Sequence, residues 1–252
     1  MNTTETKNER SEVVDRMFGA GAHFGLPKAR RHPSVKKYLF GLKQKTDIFD
    51  LEKTELLLNE AKAFAKKLGS ERKKLLFIAG KPESHRIVKN VAERINAPYC
   101  IGRWIGGSLT NFAEIKKRVN KLKKLTEDKE SGALAKYTKL ERLYIDREIE
   151  KLQKMYGGLL GLGDKLPEAL FVVDSRREAI AVEEAHVKKI PVISLANSDC
   201  DISAVEYPIV ANDSARKSIE YFVNEIAEAY EEGLSTAPVA AVAPKANITG
   251  SR

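Results

Sequence analysis

Apolar positions along the chain follow two patterns: short continuous runs, and longer stretches in which they recur every three or four residues. The continuous runs predict strands buried on both faces, because a half-exposed strand would alternate apolar and polar residues. The predicted strands are residues 47–49, 74–79, 98–101, 169–173, 191–196 and 207–210. The helical spacing predicts helices at 12–20, 51–68, 83–95, 111–125, 136–155, 176–187 and 212–232.

Local signals define some of the helix ends. Asp50 is a favourable N-cap for the helix that starts at Leu51, and Gly69 is expected to end that helix. Ser175 and Glu178 have the three-residue spacing of a capping box. We therefore expect their side chains to open the helix that follows.

The alternation of strands and helices predicts the fold class. Buried strands separated by helices indicate an α/β fold with a doubly wound parallel sheet, covered by helices on both faces. Two long helices, 111–125 and 136–155, interrupt this alternation and are joined by a polar interval around residues 128–132. They predict an inserted αα-hairpin of coiled-coil type, which ends at the glycine-rich residues 157–163.

These elements divide the chain into four parts. Residues 12–110 and 157–232 are predicted to form the α/β domain, with residues 111–156 inserted as the helical hairpin. The polar N-terminus, residues 1–11, and the Ala-, Pro-, Ser- and Thr-rich tail, residues 233–252, are predicted to be disordered. Neither segment carries enough large apolar residues to offset the entropy of ordering.

Charge favours an anionic partner. The 252 residues carry a formal net charge of +9 and a pI of about 9.3, which favours nucleic acid first and an acidic membrane surface second. A basic balance that only aids solubility is the alternative. No apolar run approaches the ~18 residues of a membrane span, and no signal-peptide pattern precedes residue 12, so we expect a cytoplasmic protein.

The positive charge is concentrated in two stretches. Residues 28–45 hold seven Lys or Arg and no acid, and prolines and glycines in this stretch predict an irregular loop. Six of the nine residues from 116 to 124 are Lys or Arg, and the apolar residues between them face another side of the helix. We expect both stretches to contact RNA phosphates, with a solvated basic face as the alternative for the helix.

Between these stretches, residues 103–111 form a glycine-punctuated loop with a guanidinium, an indole, hydroxyls and an amide. Such groups can contact phosphate, ribose or unstacked bases. Trp104 fits a core anchor as well as it fits a stacking platform. The predicted RNA-binding residues are Lys28, Arg30, Arg31, His32, Lys36, Lys37, Arg103, Trp104, Thr110, Asn111, Lys116, Lys117, Arg118, Lys121, Lys123 and Lys124.

The residues offer little support for catalysis or for a cofactor. Gly80-Lys81 follows a strand but lacks the other residues of a phosphate-binding loop, and the glycines at 157–163 precede a strand instead of following one. Asp174 ends a strand and fits a helix cap, with no partner in the sequence for acid–base work. No nucleophile–base pair is visible. We predict no catalytic residue and no cofactor, with a nucleotide-binding enzyme on a doubly wound sheet as the alternative function.

Metal sites are not predicted either. Cys100 and Cys200 are far apart and the four histidines are scattered, so a zinc site is not expected and both thiols fit buried free cysteines. Residues 197–201 carry oxygen ligands but lack a calcium-loop pattern, so a turn is the default interpretation.

Several ordered motifs resemble one family. They are His23-Phe24-Gly25, Asp50-Leu51-Glu52-Lys53-Thr54, Arg103-Trp104-Ile105-Gly106-Gly107-Ser108-Leu109-Thr110-Asn111, the run from Leu166 to Asp174, and Ile190-Pro191-Val192-Ile193. Together they resemble the bacterial-type ribosomal protein S2 family over residues 13–232. The Arg-Trp-x-Gly-Gly-x-Leu-Thr-Asn run is the most specific of them.

The resemblance implies a flavodoxin-like domain with a protruding hairpin and no catalysis. It also implies a place in the small ribosomal subunit, contacts with small-subunit ribosomal RNA and neighbouring ribosomal proteins, and docking of the large messenger-binding protein one. Three places depart from the family pattern: Leu26, the pair Ile101-Gly102, and residues 197–202. Family contacts at those three places are not carried over to this chain.

Overall fold

The computed structural model describes residues 12–236, and its centre is a five-stranded parallel sheet. The strands of this sheet are β4 (Leu75–Ala79), β5 (Tyr99–Ile101), β6 (Ala169–Val173), β7 (Val192–Ala196) and β8 (Tyr207–Val210). Their order across the sheet is β5-β4-β6-β7-β8, with every neighbouring pair parallel. This is the 2-1-3-4-5 order of flavodoxin-like folds, so the predicted doubly wound α/β class is confirmed.

Each central strand contributes to two cores. Leu75, Phe77 and Ala79 point into one hydrophobic cluster, whereas Leu76 and Ile78 point into the other. This two-residue alternation is hidden in the sequence because both faces are apolar. The continuous runs thus reflect helical cover on both sides of the sheet.

In the described part of the chain, seven α-helices pack around these strands. They are α1 (residues 12–19), α2 (Leu51–Ser70), α3 (Pro82–Arg94), α4 (Phe112–Glu130), α5 (Lys139–Tyr156), α6 (Ala179–Lys188) and α7 (Arg216–Thr236). Helices α2, α3 and α7 cover the first face, and α6 with the base of the α4–α5 pair covers the second. Within residues 12–236, no helix has the length and apolar content needed to cross a membrane.

Helices α2 and α7 cross in close contact through two glycines. A Cβ on Gly69 would overlap the carbonyl oxygen of Tyr230, and one on Gly233 would overlap that of Lys66. Both predicted ends at these glycines are therefore wrong: α2 continues to Ser70 and α7 to Thr236. The glycines permit close packing here instead of stopping a helix. Residues 1–11 and 237–252, with the disorder predicted there, lie outside the described residues.

The predicted irregular loop at 28–45 contains regular structure. Strands β1 (Phe24–Pro27), β2 (Leu39–Lys43) and β3 (Thr46–Phe49) form a small antiparallel sheet in the order β1-β3-β2. Gln44 and Lys45 connect β2 to β3 with positive φ angles of 49° and 65°. Such a two-residue turn is usually marked by Asn or Gly, so the sequence did not reveal this hairpin.

Helices α4 and α5 form the predicted hairpin, and its base is part of the sheet's second core. Leu122 and Leu152 are buried in the same cluster as the strands. The structure describes every residue between these two, and Leu134 is the one buried side chain among them. The outer half therefore extends away from the core. Coiled-coil packing, and the division into a domain and an insertion, stay predictions.

Three predicted caps differ from the structure. Asp50 precedes α2 without a side-chain capping bond and instead pairs with Lys53 at 3.0 Å. The capping box at Ser175 is absent, because Asp174 Oδ1 accepts the backbone N–H groups of Arg176 and Arg177 at 3.1 and 3.0 Å. Asp174 therefore caps the turn at residues 175–178 and not the helix, because α6 begins only at Ala179, after Glu178, which makes no side-chain capping bond. Its predicted role as a helix cap is not confirmed.

Candidate nucleic-acid interface

A single carboxylate holds the loop between β5 and α4. Glu184, on α6, accepts backbone N–H groups from Gly107, Leu109 and Thr110 at 2.7, 2.9 and 3.0 Å. It also accepts the Thr110 hydroxyl at 3.1 Å and the Trp104 indole N–H at 3.2 Å. Burial raises the pKa of Glu184, but these hydrogen bonds outweigh it and lower the pKa below its usual value. The carboxylate therefore stays charged at neutral pH.

This arrangement decides which groups of the loop can meet RNA. Trp104 is 6% exposed and packs in the second core, so it serves as an anchor and offers no open face to a base. Three of the loop's backbone N–H groups are used by Glu184, and those of Ser108 and Asn111 bond carbonyl groups of the loop itself. Arg103 and Asn111, at the two ends of the loop, are exposed, and the Asn111 amide makes no capping bond to α4. The outward-facing chemistry of this loop thus lies at its ends.

The basic face of α4 is only partly free. Lys116 pairs with Asp164 at 2.7 Å, Lys117 with Glu114 at 2.6 Å, and Lys121 with Glu148 of α5. The sequence has no acid between residues 115 and 126. In the structure, however, an acid in the first turn of α4 and acids from distant segments lie beside these lysines. Ion pairs of this exposed kind contribute little stability, so the cations remain available to a stronger anion.

Two cations of α4 have no such partner in the described part of the chain. Arg118 and Lys124 are exposed and form no ion pair with any residue in the 12–236 range. Lys123 has only a distant acid, Glu127, at 4.0 Å. Arg118, Lys123 and Lys124 are therefore the α4 side chains best placed to exchange water for phosphate.

In the first basic stretch, four predicted residues are exposed and two are engaged. Arg31 forms a two-pronged ion pair with Asp47, which is fully buried, so its guanidinium has a structural role. His32 is half-buried and bonds the Ser34 hydroxyl at 2.8 Å. The exposed residues are Lys28, Arg30, Lys36 and Lys37.

Helix α6 lies between the first basic stretch and the loop that leads into α4. A cavity of about 450 Å³ lies between α6 and the first basic stretch, and its lining includes Arg30, Arg176 and Glu183. The next residue along α6, Glu184, holds the loop that leads into α4. Residues 30–32 thus lie across a cavity from the same helix that holds residues 104–110.

A charged cluster fills the carboxyl edge of the sheet. The Lys81 ammonium lies 2.8 Å from Asp174 and 2.7 Å from Asp213, and the Asn197 amide donates to Asp213 at 2.7 Å. Burial lowers the pKa of Lys81, but both carboxylates outweigh it and raise the pKa. Burial raises the pKa of Asp213 against the opposing effect of Lys81. Sequence reasoning missed this cluster because its members are far apart in the chain.

This cluster occupies the place where doubly wound folds bind ligands. Lys81 follows β4 and Asp174 follows β6, and the strand order reverses between these two strands. Asp174, Cys200 and Asp213 have ligand atoms within 4.8 Å of one another, so they could hold a cation. Lys81 already supplies a positive charge there. A carboxylate, Glu178, also lies against Gly80, and burial raises its pKa to about 7. This acidic, filled crevice does not suit a phosphate.

An apolar face lies beside the small antiparallel sheet. Phe18, Phe24, Phe40 and Leu42 are 61, 46, 81 and 50% exposed. They line a cavity of about 430 Å³ together with His23 and Ile48. Large apolar side chains exposed side by side mark surfaces that meet another protein or a membrane.

Comparison with known proteins gives one consistent result. A family model described as "Ribosomal protein S2" matches residues 17–233. A protein of Dictyoglomus thermophilum, named small ribosomal subunit protein uS2, is 40% identical over 88% of this chain and 89% of its own length. A protein of the same name from Wolinella succinogenes is 41% identical over 88% of this chain and 81% of its own length. A third protein of this name, from Petrotoga mobilis, is 40% identical over 87% of this chain and 76% of its own length.

Proposed function

The chain belongs to the ribosomal protein S2 family, and from that premise we propose that it binds small-subunit ribosomal RNA and neighbouring ribosomal proteins as a structural constituent of the small ribosomal subunit in the cytoplasm. The family is a structural component of the ribosome and not an enzyme family. The observation that carries the RNA-binding proposal is the exposed basic face of α4, which continues directly from the loop that Glu184 holds.

Three features of this face fit a phosphate backbone. Arg118 and Lys124 are exposed without an ion pair among residues 12–236, so a phosphate would not have to displace an internal acid. Arg103 lies at the start of the adjoining loop and adds a planar guanidinium, which binds phosphate through two N–H groups. Helix α4 begins within the sheet's second core, so the cations are presented from a rigid base.

Sedimentation of a cell extract tests this proposal. The protein should travel with small ribosomal subunits, and the purified chain should bind small-subunit RNA with an affinity that falls steeply with salt. Each phosphate contact should contribute about −0.7 to −0.9 to the log–log salt slope. Saturable binding of a mononucleotide would instead favour an enzyme, and association that ignores salt, without bound RNA, would favour a protein-only adaptor.

The apolar face supports a protein partner in addition to RNA. Phe40, 81% exposed, cannot gain from a phosphate backbone but can be buried by an apolar segment of another protein. We include in the proposal that the messenger-binding protein one docks through this face.

Replacing Phe40 with Ser should therefore reduce the messenger-binding protein one on purified subunits by about tenfold, while the variant itself stays incorporated. The amount of each protein per subunit can be measured by quantitative mass spectrometry. Leu56→Ser is a matched control, because Leu56 is 58% exposed on α2 and outside this face. Equal amounts of the messenger-binding protein in both variants would refute the docking face.

A further inference from the structure

The carboxylate of Glu184 accepts hydrogen bonds from five donors of the loop between β5 and α4. Its Oε1 accepts from Trp104 and Gly107, and its Oε2 accepts from Leu109 and from both donors of Thr110. Successive backbone N–H groups that converge in this way form an anion-binding concavity. In this protein the anion is the side-chain carboxylate of Glu184, on α6, and α6 and the loop pack in the same core of the sheet.

We propose that Glu184 is a positioning residue for RNA binding: by tying the loop to α6, it fixes the directions in which Arg103 and Asn111 meet ribosomal RNA. This inference rests on the proposed function. Glu184 does not touch the RNA, because it is 7% exposed and both of its oxygens are already engaged.

The bonded groups lie immediately beside the two exposed ends of the loop. Arg103 precedes Trp104, whose indole donates to Glu184, and Asn111 follows Thr110, which donates twice. Asn111 is also the residue before α4, so the same tie fixes where the basic helix leaves the sheet. A loop that is held in one conformation before it meets RNA loses less conformational entropy on binding than a mobile loop does.

Charge alone does not explain this arrangement. Glu183, the preceding residue, is an exposed acid on the same helix and forms no bond to the loop. Neutralising either residue changes the net charge of the protein by the same unit. Any difference between the two variants therefore reports the bonds of Glu184 and not the field of the protein.

The test compares Glu184→Gln with Glu183→Gln in the full-length protein. Gln offers one acceptor oxygen and one NH₂ group, so at least one set of loop donors loses its partner. In the Glu184 variant, hydrogen exchange at the amides of Gly107, Leu109 and Thr110 should be at least about tenfold faster than in the control. Its affinity for small-subunit RNA should be about tenfold lower than that of the control.

Glu184→Asp provides a second variant that keeps the charge and shortens the side chain by one methylene. It should show intermediate exchange and intermediate RNA affinity, and it carries the test if the Gln variant does not fold. Equal RNA affinity of the Glu184 and Glu183 variants would overturn the inference, even if exchange at the loop amides rises. If the unmodified protein does not bind RNA at all, the proposed function fails, whereas unchanged exchange in both Glu184 variants would overturn the loop-holding role alone.

Discussion

Replacing Arg118 and Lys124 together by Glu should remove the protein from small ribosomal subunits while leaving its isolated fold intact. Both side chains are exposed, and neither forms an ion pair within the described part of the chain, so the substitution breaks no ion pair there. It reverses charge at the two cations of α4 that are free for phosphate, and a carboxylate in place of each would repel the RNA backbone.

The result can be measured by sedimentation of extracts and by RNA binding at several salt concentrations. The variant should be absent from the subunit fraction, and its log–log salt slope should be shallower by about 1.4 to 1.8, the value for two lost phosphate contacts. Lys188→Glu with Lys217→Glu is a matched control, since both are exposed lysines on α6 and α7 and the charge change is the same. Normal incorporation of the α4 variant would refute the placement of RNA on this face.

Replacing Lys81 by Met should destabilise the protein by about 3–5 kcal/mol, because two buried carboxylates lose their shared cation. The Lys81 ammonium bridges Asp174 and Asp213 at 2.8 and 2.7 Å, and the side chain of Asp213 is fully buried. Met keeps the approximate length of the Lys side chain, so the loss is mainly electrostatic. Urea unfolding at pH 7 measures the effect, and Lys89→Met, on the exposed side of α3, is the control.

The destabilisation should depend on pH in a defined direction. Burial already raises the pKa of Asp213, and removing Lys81 removes the attraction that opposes this shift. A carboxyl group whose folded-state pKa is raised contributes stability at low pH and loses it as pH rises through that pKa. The Lys81→Met variant should therefore be closer to the unmodified protein at pH 5 than at pH 7. A stability difference that is the same at both pH values would show that the cluster is not held by charge.

The sequence was sufficient for the features that depend on local patterns. Strand β6 was predicted at Ala169–Val173 and is found there, because five consecutive apolar residues between polar boundaries allow little else. The hairpin helices followed from apolar spacing, although α4 runs to Glu130, through the start of the predicted turn. Residues 126–130 hold three acids and a lysine, which are helix-compatible on an exposed face even though they carry no apolar signal.

Features that depend on distant contacts were beyond the sequence. Glu184 and Leu109, which are joined by a hydrogen bond, lie 75 positions apart in the chain. The neighbouring acid, Glu183, stands in the same local sequence, so the sequence does not show which of the two holds the loop. Lys81 reads as a fragment of a phosphate loop until Asp213, 132 residues later, is placed beside it. In both cases the residue type was visible in the sequence, but its partner depends on the fold.

The length of α4 has a mechanical consequence. Its 19 residues, at about 1.5 Å each, span about 28 Å, and the one buried side chain between Leu122 and Leu152 is Leu134. The outer half of this arm can therefore be shortened by whole turns, or given new surface residues, with little effect on the folding of the sheet. The reach of the arm and the stability of the sheet are therefore separate variables in this fold.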